Sequence, residues 1–171
     1  VGVDGKGLCV LERGSTVFKE IKYNEGKSSF HYTIALFEDS RRMICVSCRD
    51  TLFMIHAGTH EVVNFWSYAG SPPGNRFETL YEDSRGNLWI GTLIDGLYLF
   101  NRKKGSFQRF LHQSRNPQSI SGNFVNTVYE DKAGNLWIGT NDHGLNRFLF
   151  EDSTFIRYTI DKAHDRSARV R

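Results

Sequence analysis

Twelve residues, YEDSRGNLWIGT at 81–92, return as YEDKAGNLWIGT at 129–140, and nothing else in the 171-residue chain limits its fold as tightly. A catalytic motif has no need of a second copy at a fixed spacing of 48 residues. A structural unit that buries its faces only against copies of itself does. Aligned without a gap, residues 81–110 and 129–158 are identical at 15 of 30 positions. The agreement runs past the phrase: Gly96 and Leu97 fall on Gly144 and Leu145, Phe100 on Phe148, Phe107 on Phe155 and Phe110 on Tyr158.

Shifted by 44 instead, residues 37–66 fit the same template, keeping Glu38, Asp39, Ser40 and Arg41 but placing Cys45 where Trp89 stands. Shifted by 89, residues 1–21 fit its second half, with Gly2, Gly7, Leu8 and Phe18 on Gly91, Gly96, Leu97 and Phe107. The chain thus holds about three and a half copies.

Within a copy every local signal is strand or turn. VNTVYED alternates apolar and polar residues, RGN and AGN supply a glycine for a tight hairpin, and LWIGT is a β-branched and aromatic run; GLNRFLF and TFIRYTI add two more strands. Four strands in roughly 45 residues is the spacing of a β-propeller blade. The reading is all-β, a partial propeller, with a half blade over 1–30, a degenerate blade over 31–67, blades over 75–111 and 123–160, and a linker or tail over 161–171. Strands are expected near 33–38, 43–47, 52–56 and 62–66, then 77–82, 88–92, 97–101 and 107–111, then 125–130, 136–140, 145–150 and 155–160.

Each part of the phrase has a mechanical reading. Asp83 and Asp131 stand where an Asx side chain bonds the following turn amides, and Gly86 and Gly134 where a hairpin needs positive φ. Trp89 and Trp137 fill the wedge between blades, and Gly91 and Gly139 leave room for close backbone packing. The carboxylate pairs Glu82 with Asp83 and Glu130 with Asp131 end a first strand in each copy, so they read as turn caps rather than as an acid–base pair.

Composition adds bounds. The net charge of +3, from 22 basic and 19 acidic residues spread along the chain, does not argue for nucleic acid, and 39% hydrophobic residues suffice for a core. Three cysteines make no disulfide framework. No run approaches the ~20 apolar residues of a membrane span. Because Val1 already lies inside a repeat, the chain reads as a piece of a longer protein.

Few residues invite a chemical reading. Cys45 and Cys48 have C-x-x-C spacing, and His56 and His60 follow. Residues three apart on a strand point to opposite faces, so the four are not expected to hold zinc, and no metal or cofactor is expected. No serine, cysteine or lysine has an activating context. The variable positions lie in the loops: Leu93 to Asp95 and Asn141 to His143 between second and third strands, and Ser67–Arg76 and Leu111–Asn123 between blades. Propellers gather these on one rim, where they read either as ordinary solvated loops or, chiefly on the family resemblance given below, as a ligand rim whose candidate residues are Arg76, Asp95, His112, Asn141, Asp142 and His143.

The pattern ED-x-x-GNLWIGT, followed by GL and an F-x-x-[FY] strand, with NPQSIS before the next copy, resembles the two-component regulator propeller repeat. The match is specific over 81–158 and weak over 1–66, where Arg41 and Arg42 replace the turn's Arg-Gly. The resemblance implies the periplasmic sensor region of a bacterial hybrid two-component system, taking part in recognition of a glycan-derived ligand and signalling to a histidine kinase outside this chain. It makes the segment non-catalytic, with neighbouring blades and domains of the parent as partners and an oligosaccharide as possible ligand. An incomplete propeller also exposes faces suited to self-association. The competing readings are a propeller enzyme of the streptogramin-lyase type, for which only His112 and His143 are at hand on the rim, and a protein-binding scaffold.

Overall fold

In the computed structural model the structure describes residues 1–3, 7–23, 28–29, 33–67, 70–141 and 143–158. Every regular element among them is a strand. The chain opens with a three-stranded sheet of β1 (Gly2–Val3), β2 (Gly7–Leu11) and β3 (Phe18–Glu20), then a small hairpin of β4 (Lys22–Tyr23) and β5 (Ser28–Ser29). Three four-stranded antiparallel sheets follow, each with its strands in chain order. The second blade is β6 (Thr33–Glu38), β7 (Met43–Cys48), β8 (Thr51–His56) and β9 (Val62–Ser67). The third is β10 (Phe77–Glu82), β11 (Leu88–Thr92), β12 (Leu97–Asn101) and β13 (Ser106–Phe110). The fourth is β14 (Val125–Glu130), β15 (Leu136–Thr140), β16 (Gly144–Leu149) and β17 (Thr154–Tyr158).

The expected strands are therefore present, with ends displaced by a residue or two. The last strands of the third and fourth blades begin at Ser106 and Thr154 because each still pairs across its hairpin, with Asn101 and Leu149. The first sheet departs more. Gly2 and Val3 pair with Leu8 and Gly7, so it has three strands rather than the two of a half blade, and the β4–β5 hairpin has no counterpart in the repeat. The tail over 161–171 lies outside the described residues.

The degenerate copy is a true blade. Its inner strand shifts register between Thr33 and Ala35, as β10 does between Phe77 and Thr79 and β14 between Val125 and Thr127. A bulge at one position in all three inner strands gives each sheet the same local twist.

Blades pack face to face, and the period of two along a strand decides what each face touches. In β11 all five residues are buried. Leu88 and Ile90 pack with Cys45, Leu52 and Met54 of the second blade, whereas Trp89 packs with Val128, Leu136, Ile138 and Phe148 of the fourth. In β15, Leu136, Ile138 and Thr140 are buried while Trp137 and Gly139 between them are only half-buried. A strand covered on both sides buries every residue, and one covered on a single side buries every other.

The phrase builds a clasp at each hairpin. Asp83 Oδ1 accepts the backbone N–H groups of Arg85 and Asn87 at 3.0 and 2.8 Å, and Oδ2 accepts the Trp89 indole N–H at 2.8 Å. Asp131 repeats the set, with Ala133, Asn135 and Trp137 at 2.9, 2.9 and 2.8 Å. Gly86 and Gly134 sit at φ 77° and 79°, as the turn requires. A Cβ on Gly91 would stand 2.5 Å from the Val125 carbonyl oxygen of the next blade, so a side chain there would part the blades.

The glutamates correct the expectation that both carboxylates cap their own turn. Glu130 reaches back to the preceding blade, accepting the Ser84 N–H at 2.6 Å and the Ser84 hydroxyl at 2.8 Å, with Arg85 Nη1 at 3.2 Å. Glu82 accepts the Ser40 N–H at 2.7 Å in the same way. Asp folds its own turn; Glu ties that blade to the one before.

Cys45 leaves two deficits in the second blade, space and a missing donor to Asp39. Trp66 of β9, standing where the third blade has Phe110, occupies the space, with its ring 4.7 Å from that of Phe100 and against Gly105. Arg102 supplies the donor, bonding Asp39 through Nη1 and Glu82 through Nη2 at 2.9 Å. The corresponding residue of the fourth blade is Phe150, whose ring packs on Trp89 and carries the Arg85 guanidinium 3.8 Å above its centroid.

Candidate functional site

The loops joining second to third strands and those joining blades meet at one rim, as the hairpin connectivity requires. Backbone bonds sew them together: Leu93 N–H donates to the Arg76 carbonyl at 3.0 Å, Phe77 N–H to the Arg49 carbonyl at 2.7 Å, and Asn141 N–H to the Phe124 carbonyl at 3.0 Å. Asn75 clamps the 70–76 loop, donating to Ser71 Oγ at 3.0 Å and accepting the Ile94 N–H at 3.2 Å.

Beneath this loop lies an open cavity of about 720 Å³, between the inner strands of the second and third blades. Its polar lining includes Thr33, Arg49, Asp50, Asn75, Arg76 and Glu78, and Pro72 and Pro73 form an apolar lip. Arg76 Nε donates to Glu78 Oε1 at 2.6 Å, which fixes the guanidinium plane while its side chain stays half exposed.

The candidate residues do not form one site. Arg76 lines the cavity. His112 and His143 stack at 6.2 Å between centroids on the rim of the third and fourth blades. His112 is tied down: Nδ1 lies 2.9 Å from the Ile120 carbonyl oxygen, and its backbone N–H donates to Asn123 Oδ1 at 2.8 Å. Asn141 and His143 are exposed beside it, and Asp142 lies outside the described residues. Asp95 is buried, accepting the Tyr98 hydroxyl and Arg109 Nη1 at 3.2 Å, so its carboxylate serves the blade's fold rather than the rim surface. The NPQSIS loop is similarly engaged. Arg157 bonds the carbonyl oxygens of Asn116 and Ser119 and the Ser119 hydroxyl at 2.9, 2.8 and 2.7 Å.

Arg49, Asp50, Asn75 and Glu78 were not singled out from the sequence. Register could have found the first two, since a shift of 44 places them on Leu93 and Ile94 of a loop already chosen. Cys45 and Cys48 point to opposite faces and join different apolar clusters. Burial raises both thiol pKa values, that of Cys45 to about 12 with Asp39 adding to the effect. His56 Nδ1 is 3.2 Å from the backbone nitrogens of Gly58 and Thr59.

No curated protein matches the sequence. Solved structures do. Over 91% of this chain and 19% of the other, the fold is similar to the extracellular domain of the putative one component system BT4673 from B. thetaiotaomicron, with 25% identity and a TM-score of 0.68. A second structure, described as the extracellular domain of the putative hybrid two component system BT4673, gives 25% identity and a TM-score of 0.66. The extracellular domain of the putative hybrid two component system BT3049 from the same organism matches 75% of this chain and 18% of its own at 18% identity, TM-score 0.59. Hydrazine synthase of Kuenenia stuttgartiensis shares the fold at 10% identity, over 89% of this chain and 40% of its own, TM-score 0.60. The chain thus spans about a fifth of the length of these extracellular domains. Residues 71–93 and 119–142, which hold the clasped hairpins and the rim loops before them, match the two component regulator propeller family, and the chain folds as a partial β-propeller.

Proposed function

We propose that the chain is a non-catalytic, extracytoplasmic sensory segment of a hybrid two-component system, on the periplasmic side of the inner membrane. Its rim takes part in recognising a glycan-derived ligand, and the change is passed to a histidine kinase outside these residues. The observation that carries the reading is the cavity under the 70–76 loop. It brings two guanidinium groups, Arg49 and Arg76, and two carboxylates, Asp50 and Glu78, to one polar opening. Such planar forks of both signs pair with adjacent hydroxyls of a neutral polyol. The sensor domains with the same fold support the context.

The test is a thermal-shift panel of oligosaccharides on the protein and on Arg76→Ala. A ligand held only by the native state, at 100 times its Kd, adds about 2.7 kcal/mol. A rise in Tm that Arg76→Ala abolishes supports the site. A panel without any rise, or a rise indifferent to Arg76, removes it.

A further inference from the structure

At the end of the strands opposite the rim, the 39–42 hairpin of the second blade and the 102–105 hairpin of the third flank a second open cavity, of about 430 Å³. Arg41, Arg102, Lys103 and Lys104 line it, and no carboxylate stands among the described residues of its lining. Of these cations only Arg102 is engaged. Its Nη1 and Nη2 hold Asp39 and Glu82, and its Nε, also buried, has no acceptor among the described residues. Its hold on Glu82 displaces Arg41. In the third blade the counterpart Arg85 bonds Glu130, but Glu82, the matching glutamate, already receives Arg102 and the Ser40 N–H. The Arg41 guanidinium and the Lys103 and Lys104 ammonium groups make no ion pair among the described residues, and all three residues are exposed.

The turn does not demand this charge. Asn101 Oδ1 accepts the backbone N–H groups of Lys103 and Lys104 at 3.1 and 3.0 Å, so their side chains take no part in the turn's hydrogen bonds. In the fourth blade the corresponding residues are Glu151 and Asp152. At the seam of the second and third blades, these four cations meet two carboxylates, Asp39 and Glu82. At the seam of the third and fourth, Arg85 meets Asp83, Glu130, Glu151 and Asp152. Two seams built on one plan thus carry opposite charge at the same place.

We propose that this cavity is a binding site for a small polar molecule carrying a tetrahedral oxyanion, a sulfate or phosphate monoester. Three unpaired cations drawn from two hairpins match the three terminal oxygens of such a group, where a planar carboxylate offers two. A concave wall of one sign also concentrates an anion more than a flat surface does. The volume is that of a small-molecule pocket, and the exposed side chains of Ser106 and Gln108, which make no hydrogen bond among the described residues, serve the body of the molecule. The cations come from both blades, so the site exists only while the two are docked, and a bound ester strengthens that seam. It lies at the other end of the blades from the Arg76 cavity and stands independently of the function proposed for that cavity.

The test titrates the full chain with galactose 6-sulfate, glucose 6-phosphate, the two parent sugars, and inorganic sulfate and phosphate. Backbone amide NMR shifts are followed at low salt, where exposed charges are least screened. One ester should bind in preference to its parent sugar and its inorganic ion, moving the Arg41, Lys103 and Lys104 amides; which ester does so tells a sulfated source from a phosphorylated one. Lys103→Glu with Lys104→Asp, the residues of the fourth blade, should weaken that binding by about 30-fold, as two attractions become two repulsions, each of the strength of an exposed ion pair. The Tm of the free variant should match that of the parent chain. Arg41→Gln, on the other hairpin, should weaken binding by about 5-fold, and Arg76→Ala should leave it unchanged. Failure of both esters to bind overturns the proposal, as does affinity indifferent to the lysine reversal or to Arg41. Parent sugars that bind equally well, loss of binding in Arg76→Ala, or inorganic ions that bind as tightly as the esters, an adventitious ion only, overturn it too.

Discussion

Replacing Arg102 with phenylalanine, the residue of the corresponding position 150, probes how the second blade survives without its tryptophan. Arg102 is the donor to Asp39 and Glu82, whose side chains are 0% and 6% exposed. Removing one partner of a buried ion pair leaves uncompensated charge and costs about 3–5 kcal/mol. Cys45→Trp alone forces an indole into space that Trp66 and Phe100 already fill, and overpacking costs about 1–3 kcal/mol. The two changes together rebuild the arrangement at Trp89: the new indole N–H reaches Asp39, the new phenyl ring packs on it, and Arg41 is placed to serve Glu82 as Arg85 serves Glu130. The double variant should therefore be more stable than the sum of the singles by about 2 kcal/mol, well beyond the ~0.5 kcal/mol within which independent sites add. Trp66→Phe, which matches Phe110, should recover part of the remaining deficit. Urea unfolding followed by tryptophan fluorescence and by circular dichroism reads all of these on one scale. Additive singles, or an Arg102→Phe cost below about 1 kcal/mol, would refute the idea that Arg102 replaces the lost indole.

Three further outcomes follow from the clasps and the buried thiols. Trp89→Ala should cost about 3–5 kcal/mol, and Trp137→Ala clearly less, because only the first ring has a blade on both sides; equal costs in denaturant unfolding contradict the packing. The indole and amide donors of Trp137 and Asn135 hold Asp131 down at about pKa 2, so its contribution to stability is complete above the ordinary carboxylate range and is lost as pH falls through about 2. Carboxyl NMR titration should show the Asp131 midpoint rising in Trp137→Phe. Burial raises the Cys45 pKa to about 12, so the neutral thiol favours the folded state until pH climbs past the thiol's ordinary value, and native protein should resist iodoacetamide at Cys45 where denatured protein does not; native labelling would place the residue outside the core.

The sequence made the architecture legible because the repeat is a register: once 81–110 lies on 129–158, the strands, the hairpin glycines Gly86 and Gly134 and the wedge residues have counterparts, and the degenerate blade follows from a shift of 44 residues. It did not disclose the long-range donors and acceptors. Nothing in Glu82 or Glu130 says that its carboxylate belongs to the previous hairpin, because the Ser40 and Ser84 amides are 42 and 46 residues away and each glutamate sits beside a turn of its own. The Trp-to-Asp bond was implicit in an invariant spacing of six residues, but spacing alone does not show that a hairpin brings the indole edge over the carboxylate. Asp95 misled for the opposite reason: a charged residue at a loop tip looks free until Tyr98 and Arg109 are seen to take it inward. The rim cavity needed two loops whose proximity only the assembled blades create.

The backward reach of the glutamates has a consequence for how the chain acquires its structure during synthesis. A ribosome delivers the blades from the amino end, yet each hairpin gains its last hydrogen bond only when the strand of the next blade arrives. The newest blade is always the unfinished one, and consolidation trails elongation by about one repeat. In such a nearest-neighbour array a disturbance at a late blade first loosens the turn of the blade made before it. The molecule therefore carries a direction, from later sequence to earlier, in the order in which its parts become firm.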